Sequence, residues 1–233
     1  MGPKTLKRYA PLLMVVTALY STPSPAGDVN LVAPGFGQFR APVTSLQELR
    51  FKTTIHQQYD YSCGSAAVAT LLTYQFHDPV SESQVFQAMW KLGNQEAIRR
   101  EGFSMWDMKT YLESRGYTAN GYEVPLERLI TAGLPAIALI TENGYAHFVV
   151  IKGLDSQDVV LGDPARGTRI MTRAAFEASW HVRILLAVTN HGDQAIFNNV
   201  ADWRIRPEAP LSQAVANNNM LNATLLLSRP GDF

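Results

Sequence analysis

A single cysteine begins a long run of small and aliphatic residues, and this stretch constrains the fold more than any other. Cys63 is followed by Gly64, Ser65 and the run AAVATLL. Such residues have high helix propensity and pack closely, so the stretch predicts a buried helix. A sulfur in its first turn lies near unsatisfied backbone N–H groups and the positive end of the helix dipole, and both favour the reactive thiolate. We expect Gly64 and Ser65 to leave room for a substrate backbone beside it.

The stretch by itself allows two interpretations of Cys63. As a nucleophile, Cys63 would be assisted by Gln57, whose side-chain N–H would join the Cys63 backbone N–H in binding an oxyanion. Alternatively, Cys63 is only a small apolar residue in a core helix, because free cysteine is among the most buried residue types. The local sequence leaves both interpretations open.

The spacing of the glutamine and the cysteine resembles peptidase family C39, a group of cysteine peptidases related to papain. A glutamine is followed by five residues and then by CGSAA; further along, AHFVVIKGLD, VVLGDPARG and FEASW resemble the later blocks of the family in order and spacing. The resemblance covers roughly residues 50–188. One position departs from the pattern: many members have aspartate directly before the cysteine, whereas this chain has Ser62, with Asp60 two places earlier.

The resemblance implies a mechanism and assigns residues to it. A cysteine nucleophile needs an imidazole that takes and returns its proton, and the imidazole needs an acceptor that fixes its orientation. By resemblance these residues are His147, near the start of the most apolar strand, and Asp163, at the end of the next strand, with Gln57 as the oxyanion donor. Without the family, His147 is more typical of a core histidine, and Asp163 of a residue stabilising its own turn.

Other chemistries have weaker support. Cys63, His147 and Asp163 could supply three zinc ligands with an open position, but the chain has no CxxC or HExxH spacing. Thiol redox work lacks a resolving cysteine, because Cys63 is the only cysteine. We therefore expect neither a cofactor nor a metal. A module that holds a polypeptide without cutting it is the remaining alternative, although binding alone would require none of these site residues.

The pattern predicts an α+β fold with a helical first half and an antiparallel sheet in the second half. Capping boxes at Ser81 with Gln84 and at Ser104 with Asp107 mark two helix starts. The resemblance implies the papain-like form, in which the nucleophile helix packs on the sheet. Besides the helix after Cys63, helices are expected at 81–91, 105–115, 125–132 and 173–179, and strands at 51–56, 117–124, 134–140, 146–154, 158–161, 168–171 and 183–188.

The chain divides into four expected segments. Residues 1–26 have the layout of a signal peptide, with basic residues, an apolar stretch and small residues ending at Ala26; an uncleaved anchor is the alternative. Residues 27–50 predict an extended arm with a short helical turn at its end, 51–188 the peptidase domain, and 189–233 a C-terminal extension. The signal layout predicts a periplasmic protein that contacts the membrane only if this segment stays uncleaved.

Charge and resemblance together suggest the partner. The chain has 20 basic and 20 acidic residues, a balance that argues against a nucleic-acid partner, which needs a basic patch. The chain resembles the stand-alone exported members of the family, in particular the kind encoded with functional-amyloid secretion systems in pseudomonads. This implies a secreted polypeptide as substrate, with amyloid-secretion components as the expected partners.

Overall fold

The computed structural model describes residues 28–33, 37–42, 45–59 and 61–205. The expected signal peptide (1–26), Asp60 and the residues after 205 lie outside the described residues. Within the described ranges, no helix is long and apolar enough to cross a membrane.

The described residues before Leu46 belong to a separate unit, which contains a β-hairpin. Strand β1 (Asp28–Ala33) pairs antiparallel with β2 (Gly37–Pro42), so that Asp28 lies opposite Pro42. The expected arm at 27–50 therefore contains two paired strands, and it ends in the first helix of the second unit.

The first half of the second unit, from Leu46, is helical. Its helices are α1 (Leu46–Phe51), α2 (Cys63–Thr70), α3 (Glu82–Leu92), α4 (Gln95–Glu101) and α5 (Met105–Ser114). Both predicted capping boxes are present, and they start α3 and α5. Helix α4 was not predicted from the sequence, although Asn94 caps it by accepting the N–H groups of Glu96 and Ala97. The strand expected at 51–56 is wrong, because α1 extends to Phe51 and turns follow.

The second half forms a six-stranded antiparallel sheet in the order β3-β8-β4-β5-β6-β7. The strands are β3 (Ala119–Tyr122), β4 (Ala136–Glu142), β5 (Tyr145–Leu154), β6 (Asp158–Asp163), β7 (Gly167–Thr172) and β8 (Leu185–Val188). Helices α6 (Glu127–Ala132), α7 (Arg173–Ser179) and α8 (Val200–Trp203) complete the unit. Each of these strands overlaps a predicted one, and α7 has the predicted bounds.

Helix α2 packs on one face of the sheet. Ala67 and Val68 of α2 are fully buried in one apolar cluster with Ile137 of β4 and Val150 of β5. A second cluster covers the opposite face, where Phe176 of α7 lies. Helices thus lie on both faces of the antiparallel sheet, and the predicted α+β class with the nucleophile helix against the sheet is confirmed.

Strands β5 and β6 are paired along only part of their length. Their pairs run from Val150–Gly162 to Leu154–Val159, with a bulge between Ile151 and Gly153. The first residues of β5 pair only with β4, where His147 lies opposite Ile140. The start of α2 lies beside this end of β5, which is not paired with β6.

The segment after β8 packs onto the domain. The Ile196 N–H donates to the Gln75 carbonyl at 2.8 Å, and the Asn198 N–H donates to the Lys152 carbonyl at 2.9 Å. The expected C-terminal extension, residues 189–233, is therefore attached to the domain at least as far as α8.

Candidate active site

Cys63 is the first residue of α2, so its sulfur lies at the N-terminus of the helix. The Ser62 hydroxyl does not cap the helix; it donates to the Tyr59 carbonyl at 3.0 Å and accepts the Tyr59 N–H at 3.2 Å. The backbone N–H groups of Phe148, Gly64 and Cys63 itself lie near the sulfur and act to lower the pKa of the thiol. These donors favour a negative charge on the sulfur.

Burial nevertheless raises the pKa of the Cys63 thiol, since it outweighs the three backbone N–H groups, and the negative charge of Asp163 raises the pKa further. The sequence predicts the opposite direction, because the helix start alone favours the thiolate. The reason for the difference is tertiary: β5 and its neighbours remove water from the sulfur. Burial therefore favours the thiol over the thiolate at Cys63.

Gly64 does not leave room for a substrate, contrary to the sequence-based expectation. A Cβ at this position would lie 3.0 Å from Phe103 Cβ and 3.7 Å from a Phe148 ring carbon. The glycine therefore permits close packing of α2 beneath the sulfur. Ser65 is likewise buried, and its hydroxyl donates to the Ser62 carbonyl at 2.9 Å.

His147 and Asp163 lie together, as the resemblance implies. His147 Nε2 lies 3.2 Å from Asp163 Oδ2, and both side chains are buried. The two residues meet because His147 is near the start of β5 and Asp163 ends β6, its antiparallel neighbour. The imidazole therefore has the acceptor that a polar ring in an apolar strand requires.

Asp163 is held as a carboxylate. Its Oδ1 accepts the N–H groups of Ala165 at 2.9 Å and Arg166 at 3.2 Å, and its Oδ2 also accepts Arg169 Nε at 2.9 Å. Burial by itself would raise the pKa of Asp163, but the hydrogen bond and charge of His147, the Ala165 N–H and the Arg169 charge together lower the pKa to about 2. Asp163 also stabilises its own turn, as is typical of an aspartate before proline, in addition to its contact with His147.

The ionised carboxylate determines the tautomer of His147. Because Asp163 can only accept, Nε2 carries the proton of the neutral ring, and Nδ1 is left with a lone pair. His147 Nδ1 is buried and has no hydrogen-bond partner among the described residues. A buried nitrogen of this kind is available to take up a proton.

A second carboxylate, Glu142, lies close to the same ring. The tight turn between β4 and β5 brings Glu142 Oε2 to 4.0 Å from His147 Nε2. Arg169 and Arg166 both donate to Glu142, at 2.5 and 2.9 Å. The sequence did not point to Glu142 or Arg169, since neither belongs to a motif; only the hairpin and the β6–β7 pairing bring them to His147.

Three side chains of this cluster are potential metal ligands. Ligand atoms of Glu142, His147 and Asp163 lie within 4.8 Å of one another, whereas Cys63 is not in this group. Both carboxylates already bind guanidinium groups of Arg166 or Arg169. A cation would have to displace these charges, so the donor set does not fit a metal.

Gln57 is tied to the turn after Asp163 and is not among the residues that line the cleft at Cys63. Its backbone N–H donates to the Pro164 carbonyl at 3.0 Å, and its side-chain Nε2 donates to the Tyr59 carbonyl at 3.2 Å. The second N–H of this amide group is available to a ligand.

An open cleft of about 950 Å³ leads to Cys63. Its lining combines apolar and aromatic side chains with polar groups from α4 and α5. Trp106 is 70% exposed and forms part of the wall of this cleft. Tyr145 forms the wall near β5 and stacks on His147, with ring centroids 5.8 Å apart.

The chain is similar to a known peptidase family and to two proteins from pseudomonads. Residues 52–192 match the model of the peptidase C39 family. The chain is 38% identical to FapD of Pseudomonas fluorescens, described as a probable functional amyloid protease, over 86% of each chain. It is 39% identical to the protein of the same description from Pseudomonas aeruginosa, over 68% of this chain and 70% of the relative.

Among solved structures, a double glycine motif protease from an AMS/PCAT transporter, in complex with the leader peptide, is 24% identical. The match covers 58% of this chain and 89% of that chain, with a TM-score of 0.47. The family match and the two pseudomonad relatives together show that this chain belongs to the peptidase C39 family and is a cysteine peptidase.

Proposed function

We propose that the protein cleaves a secreted polypeptide with Cys63 as nucleophile, His147 as base and acid, and Asp163 as the residue that orients His147. One observation carries this proposal. His147 presents a buried Nδ1 without a hydrogen-bond partner among the described residues, on a ring whose Nε2 faces an ionised carboxylate, and the next residue, Phe148, lines the same cleft as Cys63. Strand β5 thus carries this base, and its next residue lines the cleft together with the thiol at the start of α2.

The chemical steps follow from these roles. His147 Nδ1 removes the thiol proton as the Cys63 sulfur forms a bond to the peptide carbonyl carbon, and the carbonyl oxygen becomes an oxyanion. The intermediate collapses, the C–N bond breaks, and His147 gives its proton to the leaving amine. Water then attacks the thioester with His147 again as base, which releases the carboxylic acid and restores the thiol. Asp163 stabilises the imidazolium in both halves of the reaction.

The oxyanion needs donors that are already in place. The Cys63 N–H lies at the start of α2, and Gln57, in the loop before α2, supplies the second N–H of its side-chain amide. Each such donor lowers the barrier because the charge that it binds develops only in the transition state.

The expected substrate is a polypeptide of an amyloid secretion system. The description of the two pseudomonad relatives supports this assignment, and so does a cleft large enough for a peptide segment. The signal-peptide layout of residues 1–26 supports export to the periplasm, where secreted polypeptides pass.

Mass spectrometry of polypeptide termini tests the proposal. Envelope and secreted proteins would be compared between cells that carry the wild type and cells that carry Cys63→Ala. We expect at least one terminus to be present only with the wild type, and His147→Ala to give the same pattern as Cys63→Ala. His181→Ala, at an exposed histidine, is the matched control and should process normally. Identical termini in all four strains would contradict the proposed function.

A further inference from the structure

Residues 53–57, here called the strap, follow α1 and end at Gln57, and hydrogen bonds or a buried side chain hold most of these residues in place. The Thr54 hydroxyl lies 2.8 Å from the Thr168 hydroxyl, and the Ile55 N–H donates to the Thr70 hydroxyl at 2.9 Å. The last residue, Gln57, is tied by its N–H to the Pro164 carbonyl. The strap thus lies between α2 and the turn that follows Asp163.

The first residue of the strap is held by a buried ion pair. Lys152 Nζ lies 2.6 Å from Asp202 Oδ1, with side-chain exposures of 0% and 4%. Lys152 Nζ also donates to the Thr53 carbonyl at 2.9 Å and to the Thr53 hydroxyl at 2.7 Å. The Thr53 hydroxyl in turn donates to Asp202 Oδ1 at 2.7 Å. Three groups from distant parts of the chain therefore form one closed network.

A bulge and a glycine in β5 allow this network to form. Lys152 lies at the bulge of the strand, between Ile151 and Gly153, so the bulge departs from regular pairing at the one lysine of an apolar strand. At Gly153 a Cβ would lie 2.4 Å from Asn198 Oδ1, so only glycine lets the C-terminal segment approach. Asn198 then accepts the Leu154 N–H at 2.8 Å and holds the segment that carries Asp202.

A buried ion pair contributes little net stability compared with apolar side chains of the same size. Such a pair instead restricts the positions of the groups that it joins, because buried charges are stable in few alternative arrangements. Here the arrangement that it defines is the start of the strap. Asp202 also lies outside residues 52–192, which match the family model, so this part of the network is supplied from beyond the matched region.

We infer that Lys152 and Asp202 are positioning residues, which hold the strap so that Gln57 reaches the oxyanion. This inference rests on the proposed function, since it assigns a role toward the same reaction. It gives residues 190–205 a task in catalysis, although none of these residues lines the cleft that leads to Cys63.

The test compares two reactions of the same thiol. p-Nitrophenyl acetate acylates Cys63: the sulfur bonds to the ester carbonyl carbon, an oxyanion forms, and p-nitrophenolate leaves as the thioester is made. Iodoacetamide alkylates Cys63 by displacing iodide from a saturated carbon, and no oxyanion forms. The ratio of the two rate constants therefore measures oxyanion binding independently of thiol reactivity.

The test variant is Lys152→Met with Asp202→Leu, which removes both charges together and leaves no uncompensated charge in the interior. We expect it to fold, as circular dichroism would show, and to lower the ratio of acylation to alkylation by about tenfold to a hundredfold, the scale of a small misplacement. Gln57→Ala should lower the same ratio, and in that background the double change should add little. Asp193→Asn, at an exposed aspartate of the same segment, should leave the ratio unchanged.

Several results would overturn the inference. An unchanged ratio in the folded double variant would show that the strap does not depend on the ion pair. An equal fall in both rate constants would show that the pair acts on the domain as a whole. A full additional loss in the Gln57→Ala background would place its effect elsewhere. Nitrophenolate release that does not require Cys63 would instead overturn the proposed function, and the inference with it.

Discussion

Replacing Asp163 with asparagine removes one buried charge while keeping the size of the side chain. In the wild type, Oδ2 accepts from His147 Nε2 at 3.2 Å and from Arg169 Nε at 2.9 Å. An amide in this place can donate to Nε2, which favours the ring tautomer with its proton on Nδ1. That nitrogen then cannot take the thiol proton. We expect acylation of Cys63 by p-nitrophenyl acetate to slow by on the order of a hundredfold or more, with the fold intact.

The same substitution should change how stability depends on pH. The pKa of Asp163 is about 2 in the folded protein, against an ordinary value of 3.8. This difference corresponds to about 2 kcal/mol in favour of the folded state when the carboxyl is ionised. Because the folded pKa is the lower one, this contribution is present above about pH 4 and is lost as the pH falls toward about 2.

Urea unfolding of the wild type and of Asp163→Asn, measured from neutral to acidic pH, checks this magnitude. The difference in unfolding free energy between the two proteins should shrink by about 2 kcal/mol across the acidic range. Asp193→Asn, which replaces an exposed aspartate, is the control and should show no comparable change. A pH-independent difference, together with wild-type acylation rates, would refute the role given to Asp163.

Three further predictions concern the other site residues and the start of the chain. Gln57→Ala should slow acylation far more than Gln58→Ala, because one oxyanion donor typically stabilises the transition state by about 3 kcal/mol. The opposite order would place the donor at Gln58. Alkylation of Cys63 by iodoacetamide should accelerate mainly above the ordinary thiol range, because burial raises the pKa of Cys63, and fast alkylation at mildly acidic pH would contradict this. The mature protein in a periplasmic fraction should begin near Gly27 by intact mass, and a full-length cytoplasmic species would contradict export.

Local signals predicted much of the fold. The capping boxes at Ser81 and Ser104 start α3 and α5 because a hydroxyl and a nearby acceptor satisfy helix N–H groups without help from the rest of the chain. By contrast, the strand expected at 51–56 rested on an alternating sequence pattern, and no strand forms there. The strap is held by side chains of α2, β5 and β7 instead of by a neighbouring strand.

The site was predicted unevenly for a similar reason. His147 and Asp163 could be selected because the resemblance supplies their order along the chain, and the structure brings them within hydrogen-bond distance. Arg169 and Glu142 carry no motif, so their place beside the imidazole depends on strand register. The direction of the Cys63 pKa was predicted wrongly because helix dipoles are local, whereas desolvation depends on what packs over the sulfur.

The sequence by itself determined which groups are available and in what order: one cysteine at a helix start, a histidine in an apolar strand, and an aspartate at the end of the next strand. These features act through backbone preference and residue type, which a linear pattern contains. Tertiary structure alone decided that a bulge directs Lys152 to Asp202, and that this pair holds the strap. The physical reason is that buried charges and hydrogen bonds depend on distances between residues far apart in the chain, and these distances exist only after the sheet has formed.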